Sequence, residues 1–205
     1  MKLVHLLRKA LFRSRMDGMR DMLRELVYVN RTMVVIEKDI RESRPAPESE
    51  IRFVVVDNSN LKEYDGKSEW RIVSHYCSRG ARCVMAYREG SLLGYQFYTR
   101  ENSFRDLLKM GISMGKDEAY LFDLFVFPEH RGTDVPRIIT AWTFNHLVSE
   151  GISRIYGFYY SDNIRSLWWH RAVLKCKELK RIRVNRIFML EWTDGRTVVN
   201  LQERT

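Results

Sequence analysis

LFDLFVFPEHRG, residues 121–132, is the stretch of this sequence that decides the fold. Residues 119–127, AYLFDLFVF, form the most apolar run in the chain, and the run stops at Pro128. A short apolar run that ends in such a breaker is typical of a strand buried on both faces of a sheet. The sequence therefore predicts a central strand over 119–127, followed by a charged turn.

The residues after this strand predict alternating helices and strands. Pro136 suits the first turn of a helix, because proline lacks the N–H that a first turn leaves unbonded. Apolar residues then recur at helical spacing up to a terminating Gly151. The predicted elements are a helix over 136–150, a strand over 154–160, a capping turn over 161–163, a helix over 164–175 and a last strand over 186–192.

The residues before the central strand predict a similar mixture. The segments 83–87 and 92–98 flank a short glycine-containing connection, so they are expected to pair as an antiparallel hairpin. The other predicted elements are a strand over 52–57, helical structure over 60–78 and a helix over 102–115.

The first fifty residues predict an N-terminal extension to a single domain over 51–205. Residues 2–15 have leucines at helical spacing and basic residues elsewhere, which indicates a basic amphipathic helix. We expect that helix to pack on the protein itself rather than lie on an anionic membrane surface. Residues 25–39 are rich in β-branched side chains and read as extended, with a hairpin at Asn30-Arg31 as an alternative, and 41–50 read as a linker.

Composition limits the class of protein. The 205 residues are 45% hydrophobic, enough for a core, and carry a formal charge of +9 with a pI of about 9.6. Such a charge attracts phosphates, acidic substrates, nucleic acid or anionic lipid. Three scattered cysteines without zinc spacing predict no metal site and a reduced, cytoplasmic location. The motifs of metalloproteases, P-loop enzymes, esterases and dinucleotide-binding enzymes are absent.

Three stretches resemble the GNAT superfamily of acetyltransferases. LFDLFVFPEHRG is similar to the family's fourth strand and its exit, Val-x-Pro-Glu-x-Arg-Gly, and the helix 136–150 with the strand 154–160 is similar to its cofactor helix and fifth strand. NIRSLWWH, 163–170, is similar to the family's Asn-x-x-Ala/Ser-x-x-x-Tyr helix. Over 51–192 the resemblance implies an α/β fold: a mixed, mostly antiparallel sheet with a splayed parallel pair of strands and helices on both faces.

The resemblance also implies a cofactor, acetyl-CoA or another acyl-CoA, held where the fourth and fifth strands splay apart. The backbone there corresponds to Phe125, Val126 and Phe127, and the family's helix motif places Asn163 and Ser166 nearby. The loop expected to hold the pyrophosphate consists of Arg131, Gly132, Thr133, Asp134, Val135, Pro136 and Arg137. This loop lacks the two later glycines of the family motif, and Asp134 would oppose phosphate by up to about 1 kcal/mol.

Candidate catalytic residues are Asp123, Glu129 and His170. Either carboxylate is a candidate to take a proton from an amine, although a structural ion pair is the alternative for both. His170 occupies the position of the family's thiolate-protonating tyrosine, and a surface histidine is the alternative. Asn163 is expected chiefly to cap its helix.

The sequence thus favours an acyl-CoA-dependent N-acyltransferase in which an amine attacks the thioester directly. The expected acceptor is a small-molecule amine, and the positive charge weakly favours an acidic or phosphate-bearing one. The alternative is a GNAT-fold module without activity, whose basic, Trp-bearing surface binds protein, nucleic acid or membrane; nucleic acid and membrane are not favoured. The sequence leaves open whether the chain forms a homodimer.

Overall fold

The structure, a computed structural model, describes residues 28–41, 50–64, 70–187 and 190–194. The helix predicted at 2–15 lies outside the described residues, as does nearly all of the linker predicted at 41–50. The assignment of 1–50 as an extension therefore stays a prediction.

Eight strands and four α-helices are found in the described part of the chain. The strands are β1 (Tyr28–Asp39), β2 (Arg52–Val56), β3 (Ala81–Arg88), β4 (Ser91–Thr99), β5 (Glu118–Val126), β6 (Arg154–Tyr160), β7 (Lys177–Ile187) and β8 (Leu190–Asp194). The helices are α1 (Trp70–Cys77), α2 (Arg105–Met110), α3 (Val135–Ser149) and α4 (Ile164–Trp168). Leu61–Tyr64 and Pro128–His130 form 3-10 turns, and Trp169–Val173 is π-helical.

The chain divides into two compact units. The larger consists of residues 38–157, and the smaller contains the described parts of 1–37 and 158–205. None of the helices within the described ranges has the length and apolar character needed to cross a membrane.

The sheet of the larger unit has the strand order β2-β3-β4-β5-β6. Neighbouring strands are antiparallel, except that β5 and β6 run parallel. The predicted hairpin is β3 and β4, whose turn places Glu89 and Gly90 at φ 50° and 80°, as a two-residue hairpin turn requires. The mixed, mostly antiparallel sheet with one parallel pair is confirmed.

Both faces of this sheet are covered by helices. On one face, α1 contributes Val73 and Cys77 to a buried cluster that includes Cys83 and Phe97. On the other face, residues at the start of α3 pack against strand residues in a second cluster, formed by Ile51, Ala86, Leu93, Val135, Ile138 and Ile139. The sheet is therefore buried on both sides, which explains why its interior strand β5 reads as a nearly continuous apolar run.

The smaller unit pairs β1 with β7, and β7 with β8, in antiparallel fashion. β1 is continuous through Asn30 and Arg31, so the alternative hairpin at these residues is wrong. The predicted last strand, 186–192, instead covers the end of β7 and the start of β8. Two predicted helices are also shorter than expected: α2 ends before Gly111, which adopts φ 57°, and α4 passes into the π-helical turn.

Candidate functional site

β5 leaves its parallel neighbour part-way along its length. The β5–β6 ladder runs from the pair Glu118–Arg154 to the pair Tyr120–Tyr156, whereas β5 itself continues to Val126. Just beyond the last pair, the register with β4 shifts, because Phe122 faces Phe97 but Phe125 faces Tyr95.

This register shift is a β-bulge, with two residues of β5, Asp123 and Leu124, opposite the single residue Gln96 of β4. Asp123 at the bulge has φ 46°, in the left-handed region that non-glycine residues seldom occupy. A bulge bends its strand and increases the local twist. The bulge therefore gives a physical reason for β5 to diverge from β6 after Tyr120.

One of the three residues predicted to bind pantetheine directs its backbone to the open side of β5. The Phe127 N–H donates to the Leu93 carbonyl across a distance of 3.1 Å, so Phe127 faces β4. Since backbone groups alternate along a strand, the N–H and C=O of Val126 face away from β4. The Val126 carbonyl there accepts a hydrogen bond from Arg131 Nε at 3.1 Å. Phe125 pairs with Tyr95 of β4.

The loop before α3 presents backbone donors. Among the described residues, no acceptor is found for the N–H groups of Gly132, Thr133 and Asp134. Gly132 has φ 81°, and a Cβ added there would meet no atom within 4 Å. Successive backbone donors at a helix N-terminus attract anions. The loop thus keeps room and donors for an anion without the family's later glycines.

The side chains of this loop are partly engaged with each other. The Thr133 hydroxyl donates to the His130 carbonyl at 2.6 Å and accepts from the Val135 N–H at 3.3 Å, so it organises the loop. Asp134 does not cap the helix and lies 3.4 Å from Arg137. Their side chains are 75% and 67% exposed, so this ion pair contributes under about 1 kcal/mol and leaves both groups accessible.

The start of α3 is anchored in the core. Val135 is 3% exposed and belongs to the buried cluster on that face, and Pro136 lies in the first turn as predicted. The donors of the loop are therefore presented from a rigid base. Together with Arg131 and Arg137, they give the start of α3 a local positive potential that attracts an anion.

Asp123 contacts a tyrosine that sequence reasoning missed. The Tyr76 hydroxyl donates to Asp123 Oδ2 at 3.1 Å. Gln96, opposite the bulge, is 6% exposed, and its Oε1 accepts no hydrogen bond from the described residues. Tyr76 lies 47 residues before Asp123 in the sequence, so no local spacing links the two residues.

Glu129 lies in the 3-10 turn directly after β5 and is exposed. It forms no ion pair with any residue in the described ranges. The structural ion pair considered as its alternative role is therefore not seen there, and the carboxylate is accessible to solvent.

The remaining predicted residues belong to the smaller unit. Asn163 caps α4, because its Oδ1 accepts the Ser166 N–H at 3.1 Å. The predicted capping turn is thus confirmed. Of the two adjacent tryptophans, Trp168 is 59% exposed, whereas Trp169 is half-buried.

His170 lies in the π-helical turn and stacks on Tyr159, with the ring centroids 5.4 Å apart. Its Nδ1 is buried and has no partner in the described parts of the chain. Burial lowers the pKa of His170 to about 4, so the imidazole is neutral at pH 7. The ordinary pKa of about 6.5 used for the sequence expectation does not apply here.

Metal-ligating side chains and thiols are scattered in the described part of the chain. No group of three or more His, Cys, Asp or Glu side chains is placed to hold a metal ion there. The three cysteines, Cys77, Cys83 and Cys176, form no disulfide with one another. Burial raises the pKa of Cys77 to about 12, which leaves little thiolate to act as a nucleophile.

Comparison with known proteins gives similarity in structure only. No family model matches the chain, and no curated protein sequence matches it. A putative GNAT-family acetyltransferase from Novosphingobium aromaticivorans superposes with a TM-score of 0.51 at 10% identity, covering 75% of this chain and 64% of that one. A tandem GNAT protein from the clavulanic acid biosynthesis pathway gives 0.52 at 14%, covering 82% and 55%.

A third similar structure is a GCN5-related glucosamine N-acetyltransferase region of a fungal multi-domain β-N-acetylglucosaminidase. It gives a TM-score of 0.53 at 12% identity and covers 84% of this chain. The chain spans 64%, 55% and 23% of the lengths of these three proteins. The strand order, the single parallel pair and these superpositions agree, and the chain therefore has the fold of the GNAT acetyltransferases.

Proposed function

We propose that this chain is an acyl-CoA-dependent N-acyltransferase, with acetyl-CoA as the favoured donor. The observation that carries the proposal is the early end of the parallel β5–β6 ladder at the pair Tyr120–Tyr156, beyond which β5 continues to Val126 without a ladder partner in β6. The loop in which the N–H groups of Gly132, Thr133 and Asp134 have no acceptor among the described residues follows β5 after the short 3-10 turn Pro128–His130. A thioester arm and its pyrophosphate need these two features side by side.

Particular groups of the chain would hold the cofactor. The backbone of Val126 would hydrogen-bond the pantetheine arm, and the N–H groups of Gly132, Thr133 and Asp134 would bind the pyrophosphate, aided by Arg131. Phe125, Phe127, Val135, Pro136 and Arg137 would support this site. The resemblance also implies Asn163 and Ser166, which lie in the smaller unit. Bound acetyl-CoA would supply an activated acyl thioester.

Transfer to an amine requires proton movements that the chain's residues would assist. The amine nitrogen forms a bond to the acyl carbon while the bond from carbon to sulfur breaks, so the amine must lose a proton and the thiolate must gain one. Asp123 is the proposed proton acceptor, with Glu129 acting through water as the alternative. The thiolate would take its proton from water. His170, which the resemblance implies as the partner of the thiolate, lies in the smaller unit and is a neutral imidazole.

The acceptor is proposed to be a small-molecule amine. The net charge of +9 favours an acidic or phosphate-bearing acceptor over a polycation, because a positive protein repels the latter. Net charge affects the rate at which an acceptor associates with the protein more than its affinity within the site.

The first test is thermal and urea unfolding of the full chain with acetyl-CoA and with free CoA. A ligand at 100 times its Kd stabilises the folded state by about 2.7 kcal/mol. Both CoA forms should raise the free energy of unfolding, since both contain the pyrophosphate. Absence of any shift with either form would refute cofactor binding and favour the GNAT-fold binding module.

Loop variants make this test specific to the proposed site. Asp134→Asn removes a negative charge from the loop and should tighten CoA binding by up to about fivefold, and Arg131→Gln should weaken it by a similar factor. Glu63→Gln removes an exposed carboxylate from the turn Leu61–Tyr64 and serves as the control, with no change expected. Equal affinities in all three variants would mean that CoA binds elsewhere.

A further inference from the structure

Two buried polar side chains between α3 and β4 have an atom without a hydrogen-bond partner. Gln96 of β4 is 6% exposed, and its Oε1 accepts no hydrogen bond from the described residues. Thr140 of α3 is 1% exposed, and no partner for its Oγ1 is found in the described ranges either. Most buried polar atoms are hydrogen-bonded, because losing water without a replacement is costly. Two such atoms in one buried layer therefore point to a partner that is not a protein side chain.

Strand alternation directs Gln96 towards α3. The rings of its two neighbours, Tyr95 and Phe97, are in contact with each other and belong to the buried cluster on the α1 face of the sheet. Successive side chains of a strand point to opposite faces. Gln96 therefore lies on the other face, beneath α3.

Contacts on either side of Gln96 fix the position of α3 along β4. A Cβ at Gly94, two residues before Gln96, would lie 3.1 Å from Ile139 Cδ1. The hydroxyl of Tyr98, two residues after Gln96, lies 3.0 Å from His146 Nε2. The helix therefore follows the strand in the same direction, and its turns between Ile139 and His146 cover Gln96.

Thr140 belongs to this covering part of α3. It directly follows Ile139, and its burial places it on the side of the helix that faces the protein interior. With a rise of 3.3 Å per strand residue and 1.5 Å per helix residue, Thr140 and Gln96 are offset along the helix by about 5 Å, or one turn. The length of the glutamine side chain and one bridging water span such an offset.

The neighbouring Thr143 shows how a threonine hydroxyl is satisfied within this helix. Thr143 is fully buried, and its Oγ1 donates to the Ile139 carbonyl, four residues earlier, at 2.8 Å. The equivalent acceptor for Thr140 is the carbonyl of Pro136, but this bond does not form. The Thr140 hydroxyl is therefore available to a partner outside the helix backbone.

We propose that α3 and β4 enclose a bound water molecule that donates to Gln96 Oε1 and accepts from the Thr140 hydroxyl. An amide oxygen accepts hydrogen bonds and a threonine hydroxyl donates one, so a single water satisfies both atoms. About two to four polar partners hold a water in a protein interior. Both side chains are shielded from bulk solvent, so the occupant is small and polar.

This water would connect α3 to the bulged part of the sheet. Gln96 is the single residue of β4 opposite Asp123 and Leu124, and α3 begins at the loop that presents backbone donors. A bridge between helix and strand would restrain the bulge relative to that loop. The site is independent of acyl transfer, and its test does not require activity.

Direct detection uses the full chain at wild-type sequence. In an isotope-labelled sample, the side-chain amide protons of Gln96 should show a nuclear Overhauser effect to water with the sign of a molecule bound for longer than nanoseconds. A crystal structure should show density for a water at hydrogen-bonding distance from both Gln96 Oε1 and Thr140 Oγ1. Exchange as fast as that of surface water, or a direct bond between the two side chains, would overturn the proposal.

Apolar variants measure the energetic role of the water. Thr140→Val and Gln96→Met each remove one partner, so each should increase the equilibrium constant for unfolding at least about threefold in urea titrations. A dry pair would give the opposite result, because an apolar side chain of similar shape would relieve an unsatisfied polar atom. Thr143→Val is the matched control and should stay within about twofold of wild type, since the Ile139 carbonyl keeps its helical bond.

The double variant tests whether both atoms share one water. Losing either partner already weakens the bridge, so Thr140→Val combined with Gln96→Met should increase the unfolding constant at least about threefold less than the product of the single effects. Additive effects would mean that the two atoms do not share a ligand. Greater stability of either single variant would likewise overturn the proposal, and if a variant fails to fold, the wild-type spectra and crystals decide.

Discussion

Gly94 is the position at which a single methyl group should disturb the candidate site most directly. It lies on β4 opposite Val126, the last residue of β5. A Cβ at this position would lie 2.4 Å from the Phe125 carbonyl oxygen, 3.1 Å from Ile139 Cδ1 and 3.2 Å from Val126 Cα. Two of these three atoms are backbone, so Gly94→Ala must push β5 away from β4 by roughly 1 Å to reach ordinary contact.

Two opposing effects set the size of the loss. Replacing glycine by alanine inside a strand should stabilise the chain by about 0.5–1 kcal/mol, because the unfolded state loses conformational freedom. Overpacking a well-packed site costs about 1–3 kcal/mol, and the upper part of that range applies where backbone has to move. Gly94→Ala should therefore lower the free energy of unfolding by about 2 kcal/mol. The change in unfolded-state freedom alone would raise it.

Urea unfolding followed by circular dichroism measures this difference. Gly115→Ala is the matched control, because a Cβ there would have its nearest neighbour at 3.5 Å, an ordinary contact. The control should change the free energy of unfolding by no more than about 0.5 kcal/mol. The Gly94 variant should also lose part of its stabilisation by acetyl-CoA, since the displaced atoms belong to Phe125 and Val126. Wild-type or higher stability of Gly94→Ala would refute the close approach of β4 and β5.

Two pH-dependent predictions concern the smaller unit. The pKa of His170 is about 4 in the folded state and about 6.5 in the unfolded state, so the unfolded state takes up a proton first as pH falls. The free energy of unfolding of wild type should therefore decrease by up to about 3 kcal/mol between pH 6.5 and pH 4. Urea titrations of His170→Phe should lack this decrease. Burial would raise the pKa of Glu178, but hydrogen bonds from Arg171, Tyr159 and Arg181 outweigh it and lower the pKa to about 2. The stabilisation by Glu178 is therefore present above pH 4.5 and is lost as pH falls towards 2. Glu178→Gln should lower the free energy of unfolding by about 2 kcal/mol at pH 7 and make it depend less on pH between 4.5 and 2. An unchanged pH dependence in this range would contradict the hydrogen-bonded carboxylate.

Local sequence determined the elements of the larger unit and their order. β5 and α3 were predicted closely, because an apolar run ending in proline and a proline-led apolar period of 3.6 are signals carried by neighbouring residues. The hairpin of β3 and β4 followed from its turn. The turn between β5 and α3 was also predicted, since its position depends only on where the strand ends and the helix begins. Of the predicted loop, residues 131–134 precede α3, whereas Val135, Pro136 and Arg137 form its first turn.

Tertiary structure alone decided which groups meet. β7, KELKRIRVNRI, reads as a charged surface, and only its pairing with β1 and β8 makes it a strand. The bulge at Asp123 arises from the pairing with β4, in which the single residue Gln96 lies opposite Asp123 and Leu124. The Tyr76 hydroxyl reaches the Asp123 carboxylate because α1 packs on the same face of the sheet. Burial likewise moved the pKa of His170, which its sequence neighbours could not indicate. Hydrophobic periodicity is a property of neighbours along the chain, whereas register, side-chain direction and desolvation depend on residues brought together from far apart.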